Sequence, residues 1–145
     1  MENEIEPVLS VVIAAHNGKT ELNSCLAALK NQYFPEKLFK YEIIVVGCLN
    51  DELKKSIRKE YPEVKLLQAV SPLSVPALRS IGIKASKGEI IALLEDHCIP
   101  ASDWVQSILS NHQRGHLVVG GAIENGLIVR TIDWAVYFFE YSVFM

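Results

Sequence analysis

The densest chemistry in the chain is at Glu95, Asp96 and His97, inside the stretch IIALLEDHC of residues 90–98. Five apolar residues give way at once to two carboxylates and an imidazole. An unbroken apolar run marks a parallel strand covered on both faces. Polar residues at its carboxyl end emerge together at the sheet edge, where open α/β folds hold their ligands. Two carboxylates and an imidazole at one point can hold a divalent cation, and the cation a phosphate. The plainer alternative is the start of a solvated loop.

Two further apolar runs end in the same way. LSVVIA (residues 9–14) delivers Ala14, Ala15, His16, Asn17 and Gly18, and YEIIVV (residues 41–46) delivers Gly47, Cys48, Leu49, Asn50 and Asp51. In a parallel sheet these ends share one edge, so three polar loops converge on one crevice. Arg79 lies on the helical stretch before the IIALL run. Small residues at Ala14, Ala15 and Gly47 permit close approach of a flat base or a sugar ring. The same edge collects His16, Cys48, His97 and Cys98, a donor set of the kind zinc accepts. Their spacing matches no zinc motif, and single buried cysteines are common.

The elements that must position these loops alternate along the chain. After the first strand, Leu22, Cys25, Leu26 and Leu29 follow helical spacing, with Thr20 as a candidate N-cap. The second strand is followed by a polar helix over 52–61, then Pro62 and a third strand over 64–68. Residues 75–85 are helical by pattern, and Gly88 is placed to end that helix before the fourth strand. A helix from about residue 102 to 111 and a fifth strand over 117–122 (LVVGGA) complete the series. Strands separated by helices imply βαβ units and a mainly parallel sheet. The fold class is therefore α/β, in one domain.

Composition narrows the function. A formal net charge of -3 gives no basic footprint for nucleic acid, although one cleft can still be locally positive. The acidic, polar start (MENEIEPVLS) shows no secretory signal, and no run is long enough to span a bilayer. Three cysteines, Cys25, Cys48 and Cys98, lack CxxC spacing, which fits a reducing compartment. A cytoplasmic location, peripheral to a membrane at most, is the expectation. Residues 132–145 (IDWAVYFFEYSVFM) carry apolar side chains on nearly every side of an expected helix. One core face cannot hide them all, so the segment waits for further chain, a membrane surface or a second copy.

With these loops in place, the chain resembles a known family. SVVIAAHN, YEIIVVGCLND, VPALRSIGIKASKGEIIALLEDHCIPASDW and VVGGAI, in this order and spacing, look like the nucleotide-sugar-binding half of a family-two glycosyltransferase. The resemblance covers nearly all of residues 9–123, and the block 79–104 is its most specific part. It implies a GT-A fold: three α/β/α layers around a mainly parallel, Rossmann-like sheet, here truncated. It divides the chain into a tail over 1–8, a donor domain over 9–123 and an aromatic segment over 124–145 that begins a missing acceptor half.

The resemblance further implies a sugar carried by a nucleoside diphosphate, UDP- or GDP-linked, and moved to an unidentified acceptor hydroxyl. Ala14, His16, Asn17, Cys48, Arg79 and Glu95 fall at its donor-binding positions. Asp96 and His97 fall at its site for manganese or magnesium. An imidazole in place of the usual carboxylate tilts that site towards manganese.

Departures from the family pattern matter as much. Ala14, His16 and Gly18 stand where the first loop usually carries proline, an aromatic and an acid. Gly47 and Cys48 stand where two aspartates usually hold base and ribose, leaving Asp51 as the carboxylate that would have to reach in. After Asn125 the carboxylates are Asp133 and Glu140, neither in a recognisable acceptor motif, so no general base is assigned. The competing expectation is a non-catalytic interaction module that has lost donor binding and associates through residues 132–145.

Overall fold

The computed structural model describes residues 6–16, 19–33, 40–126 and 128–141. Its elements run β1 (Leu9–Ala15), α1 (Lys19–Lys30), β2 (Tyr41–Gly47), α2 (Asp51–Glu60), β3 (Lys65–Gln68), α3 (Val75–Ala85), β4 (Ile90–Glu95), α4 (Trp104–Gln113) and α5 (Thr131–Tyr141). The chain divides into two compact units, Met1–Leu109 and Ser110–Met145.

The first unit holds a four-stranded sheet in the order β3-β2-β1-β4. Every adjacent pair is parallel, as the alternating pattern requires. The order reverses at β1: β2 and β3 lie to one side, and α3 carries the chain across to β4 on the other. Alternation along β1 sends Leu9, Val11 and Ile13 into one core layer, with Leu22, Cys25, Leu26 and Leu29 of α1, Ile57 of α2, and Val105 and Leu109 of α4. The opposite layer joins Ala14, Ile44, Val46 and Leu78, the last from α3. The helical spacing read from 22, 25, 26 and 29 is thus the buried face of α1.

Two glycines set how closely the layers approach. A Cβ on Gly82 would lie 2.3 Å from Val12 Cγ1, so α3 rests on β1 only because that side chain is missing. Gly88 does not end α3, which stops at Ala85 with Ser86 as its C-cap. Instead a Cβ there would lie 2.6 Å from Ser10 N, so Gly88 lets the chain pass against β1. Its N–H donates to the fully buried Ser10 Oγ at 2.8 Å, and Ser10 Oγ donates to Glu42 Oε1 at 2.6 Å. Glu42 also accepts the Lys87 N–H at 2.7 Å, closing the amino end of the sheet.

Boundaries shift for local reasons. Thr20 lies inside α1, not at its cap. Helix α2 runs from Asp51 to Glu60, one residue earlier than the expected 52–61, because Asn50 Oδ1 accepts the Leu53 N–H at 2.8 Å and caps it. The expected fifth strand over 117–122 is absent: the segment pairs in no ladder, and Leu117 and Val118 are 89% and 90% exposed. β-branched residues favour a strand only where a neighbour is present to pair with.

In the second unit, Arg130 grips Asp133 at the start of α5, with Nη2 to Oδ1 at 2.6 Å. Trp134 stacks on Phe138, centroids 5.8 Å apart, and α5 buries none of its described residues. Among the described residues no helix is long and apolar enough to cross a membrane.

Candidate functional site

The strand register brings the carboxyl ends level, with Ala14 opposite Glu95 and Ala15 opposite Gly47. The reversal of strand order places β1 beside β4 at this edge, the position where open α/β sheets open a crevice. Asp96, the first residue beyond β4, is buried there, 1% exposed. A buried carboxylate needs polar partners, and Asp96 Oδ2 accepts the His16 N–H at 2.7 Å. This bond ties the loop after β1 to the turn after β4. Asp96 Oδ1 faces His97 Nδ1 at 3.4 Å, and the His97 side chain is half-exposed.

The turn itself is anchored from below. The Cys98 N–H donates to the Glu95 carbonyl at 3.1 Å, and the buried Cys25 thiol of α1 approaches the same oxygen at 3.8 Å. Burial pushes the Cys25 thiol up to about 12, with the charges of Cys98 and Asp96 adding to the effect. Burial also raises Cys98. Among the described residues no three His, Cys, Asp or Glu side chains gather to hold a metal, so the His16, Cys48, His97 and Cys98 set is not assembled as a zinc site.

Glu95 carries an ion pair with Arg79, which reaches across from α3. Arg79 Nε is buried and has no hydrogen-bond partner among the described residues. A buried N–H without an acceptor is costly, and an incoming anion would supply the acceptor.

Beside this turn lies a cavity of about 440 Å³. Ala15, His16, Cys48, Leu49 and Asn50 line it from the loops after β1 and β2. Glu52 and Leu53 of α2, with Pro72, Leu73 and Leu78 around the start of α3, complete the wall. His16 belongs to both places: it lines the cavity while its N–H is held by Asp96.

The residues singled out by sequence therefore sort into groups. His16 and Cys48 face the cavity, Arg79 meets Glu95, and Asp96 meets His97. Ala14 is 1% exposed in the core against the α3 layer, and Ala15 takes the cavity position. Gly47 is filled from within, since a Cβ there would lie 2.6 Å from the Ala15 carbonyl oxygen. Asn17 and Gly18 lie outside the described residues. Asp51 is turned to solvent and paired with Lys54 at 2.7 Å, away from the cavity lining. Sequence reasoning missed Glu52, Leu53, Pro72, Leu73 and Leu78. The strand order carries the signal for them: β3 beside β2 sets the loop leaving β3 next to the start of α2.

The family model for glycosyl transferase family 2 matches residues 10–144, almost the whole chain. The chain belongs to this family. A relative, the glycosyltransferase AglE of Haloferax volcanii, is 30% identical over 123 residues, covering 81% of the chain and 40% of AglE. The chain thus spans well under half of that relative's length. Among solved structures, S. aureus TarS 1-349 in complex with UDP superposes with a TM-score of 0.66 at 19% identity, over 85% of the chain and 38% of the TarS chain. The mannosyltransferase PcManGT of Pyrobaculum calidifontis, solved with GDP-Man and Mn2+, gives 0.57 at 19% identity, over 69% of the chain and 30% of its own. At such identities the structures establish the fold, and the fold is GT-A.

Proposed function

We infer that this edge binds a nucleoside-diphosphate sugar through a divalent cation, for transfer of the sugar to an acceptor hydroxyl. One observation carries the reading. The His16 N–H to Asp96 bond joins a cavity large enough for a nucleoside to an acidic turn, at the reversal of strand order. TarS with UDP and PcManGT with GDP-Man and Mn2+ support it by likeness of fold.

The donors fit such a cation. Asp96 Oδ1 and His97 Nδ1, 3.4 Å apart, offer one hard oxygen and one imidazole. Magnesium-type sites take one or two protein ligands and complete their shell with substrate phosphates and water. The imidazole favours manganese over magnesium. Bound there, the cation would stabilise the negative charge that develops on the departing diphosphate. The chain's own residues do the rest. Asp96 holds the first loop in place, Arg79 offers its fork to phosphate oxygens in competition with Glu95, and the cavity takes the nucleoside.

Neither Asp133 nor Glu140 sits in a recognisable acceptor motif, so no base is assigned to deprotonate the acceptor. Sugar transfer by this chain alone is expected to be weak or absent, while donor binding persists. The test is manganese binding followed by electron paramagnetic resonance in the presence of UDP or GDP. Wild type should immobilise the ion and His97→Ala should release it. Equal binding by the two proteins removes His97 from the ligand set.

A second reading rests on α5. Phe139 is 89% exposed and Ile132 58%, and no described residue of the helix is buried. An exposed aromatic face of this kind favours self-association or contact with a membrane surface. Sedimentation velocity distinguishes the two: a mass that rises with concentration indicates association, and a constant monomer mass with binding to anionic vesicles indicates the surface.

A further inference from the structure

The segment from Glu95 to Val105, which contains the acidic turn, is held to α1 at both ends. At the first end the Cys25 thiol approaches the Glu95 carbonyl at 3.8 Å. About two helical turns later along α1, just past its last residue, stands Gln32. Its Nε2 donates to the Ala28 carbonyl at 3.1 Å and to the Ala101 carbonyl at 2.8 Å. Its Oε1 accepts the Val105 N–H at 3.0 Å, supplying one of the partners that the amino end of α4 needs. The next residue adds a backbone bond, from the Tyr33 N–H to the Ser102 carbonyl at 2.7 Å.

Between these two pins the chain has little slack. Asp96 is held by the His16 N–H, and the Cys98 N–H closes the turn on the Glu95 carbonyl at 3.1 Å. Pro100 is buried, with its φ locked by the ring, and it confines the backbone of Ile99 before it. His97 therefore stands between an anchor at Asp96 and a stiff link, 98–101, that ends on Gln32. We propose that Gln32 is a positioning residue for the acidic turn: by holding the Ala101 carbonyl it sets where His97 stands relative to Asp96, and so the affinity for the cation. The proposal rests on the cation-dependent donor binding inferred above. Gln32 touches neither cation nor substrate and acts only through the backbone. Residues that orient metal ligands from outside change affinity roughly 10–100-fold when lost, and one acting through backbone belongs at the lower end.

The experiment follows manganese binding by electron paramagnetic resonance, with UDP and separately with GDP, in the wild type, Gln32→Met, Gln32→Glu and Tyr41→Phe. Each protein is measured well below its unfolding midpoint, with circular dichroism verifying the fold. Met fills similar space without a hydrogen bond. Glu keeps an acceptor for the Val105 N–H but has no donor for the Ala101 carbonyl. Tyr41→Phe is the control, because the Tyr41 hydroxyl bonds the end of α1 from β2, donating to the Leu29 carbonyl at 2.6 Å. Both Gln32 variants should bind manganese about tenfold more weakly, while Tyr41→Phe loses stability and keeps the wild-type affinity. Wild-type affinity in Gln32→Met, with a lowered unfolding midpoint, would leave Gln32 a cap for α4 and overturn the positioning role. Wild-type affinity in Gln32→Glu alone would move the effect from Ala101 to that cap and overturn it too. An equal loss in Tyr41→Phe would mark a general loosening of α1, again against the proposal. If the folded wild type binds no manganese with either nucleotide, the donor reading itself fails and this inference with it.

Discussion

Asp96 Oδ2 holds the His16 N–H, and the proposed cation would take Oδ1; substitutions separate the two roles. Replacing it by Ala leaves the His16 N–H without its buried acceptor, which should cost about 1–3 kcal/mol in denaturant unfolding. Replacing it by Asn keeps an acceptor for that N–H but removes the charge, so stability should change less while the metal dependence of nucleotide binding is lost. If Asp96→Asn binds nucleotide with unchanged metal dependence, Asp96 is structural only. Arg79→Lys tests the fork: a point charge in place of a planar guanidinium should weaken diphosphate binding roughly tenfold. Unchanged affinity would place phosphate elsewhere. At this scale the sequence was readable where polarity broke an apolar run, as at Glu95, Asp96 and His97. Glu52 was not readable that way. It follows no strand end, looks like one of several acids on a solvated helix, and reaches the cavity only through the neighbouring positions of β2 and β3.

Elements are held by small local devices more than by propensity. Gly82 lets α3 sit on Val12 and Val46, so Gly82→Ala should overpack the contact and destabilise by about 1–3 kcal/mol. Because α3 carries Arg79, nucleotide binding should weaken in the same variant; thermal unfolding and titration together check this. Losing the Asn50 cap by Asn50→Ala should cost about 1 kcal/mol and fray the first turn of α2, where Glu52 sits. Helix α1 followed from periodicity, and β1, β2 and β4 from unbroken apolar runs. β1 and β2 are covered on both faces as such runs imply, whereas β4 lies at the end of the strand order and leaves Ile91 and Leu93 40% and 46% exposed. Residues 117–122 have strand-like composition and no strand, since a ladder needs a partner that composition does not reveal. Gly88 was misread in the same way. Its role depends on Ser10, a contact 78 residues distant in sequence.

For the whole molecule, acid is the most informative perturbation. Burial pushes Glu42 up, but hydrogen bonds from Ser10 and the Lys87 N–H, with the Lys65 charge, outweigh it and leave the carboxyl below its ordinary 4.5. A depressed carboxylate stabilises the fold fully above that ordinary value. The contribution is lost as pH falls below 4.5 and through the folded value, where the group protonates. Chemical unfolding between pH 6 and 3 should therefore show less loss for Glu42→Gln than for the wild type. An identical slope in both would remove Glu42 from the acid response. The second unit adds the exposed α5, so deleting residues 131–145 should abolish any concentration-dependent mass while leaving nucleotide binding unchanged.

The donor-binding account is tested most directly by titrating UDP and GDP into the purified chain by calorimetry, first with manganese and then with a chelator. Saturable heat should appear with manganese for at least one of the two nucleotides and disappear with the chelator. Absence of heat for both nucleotides, in protein whose fold is verified by circular dichroism, would contradict the account.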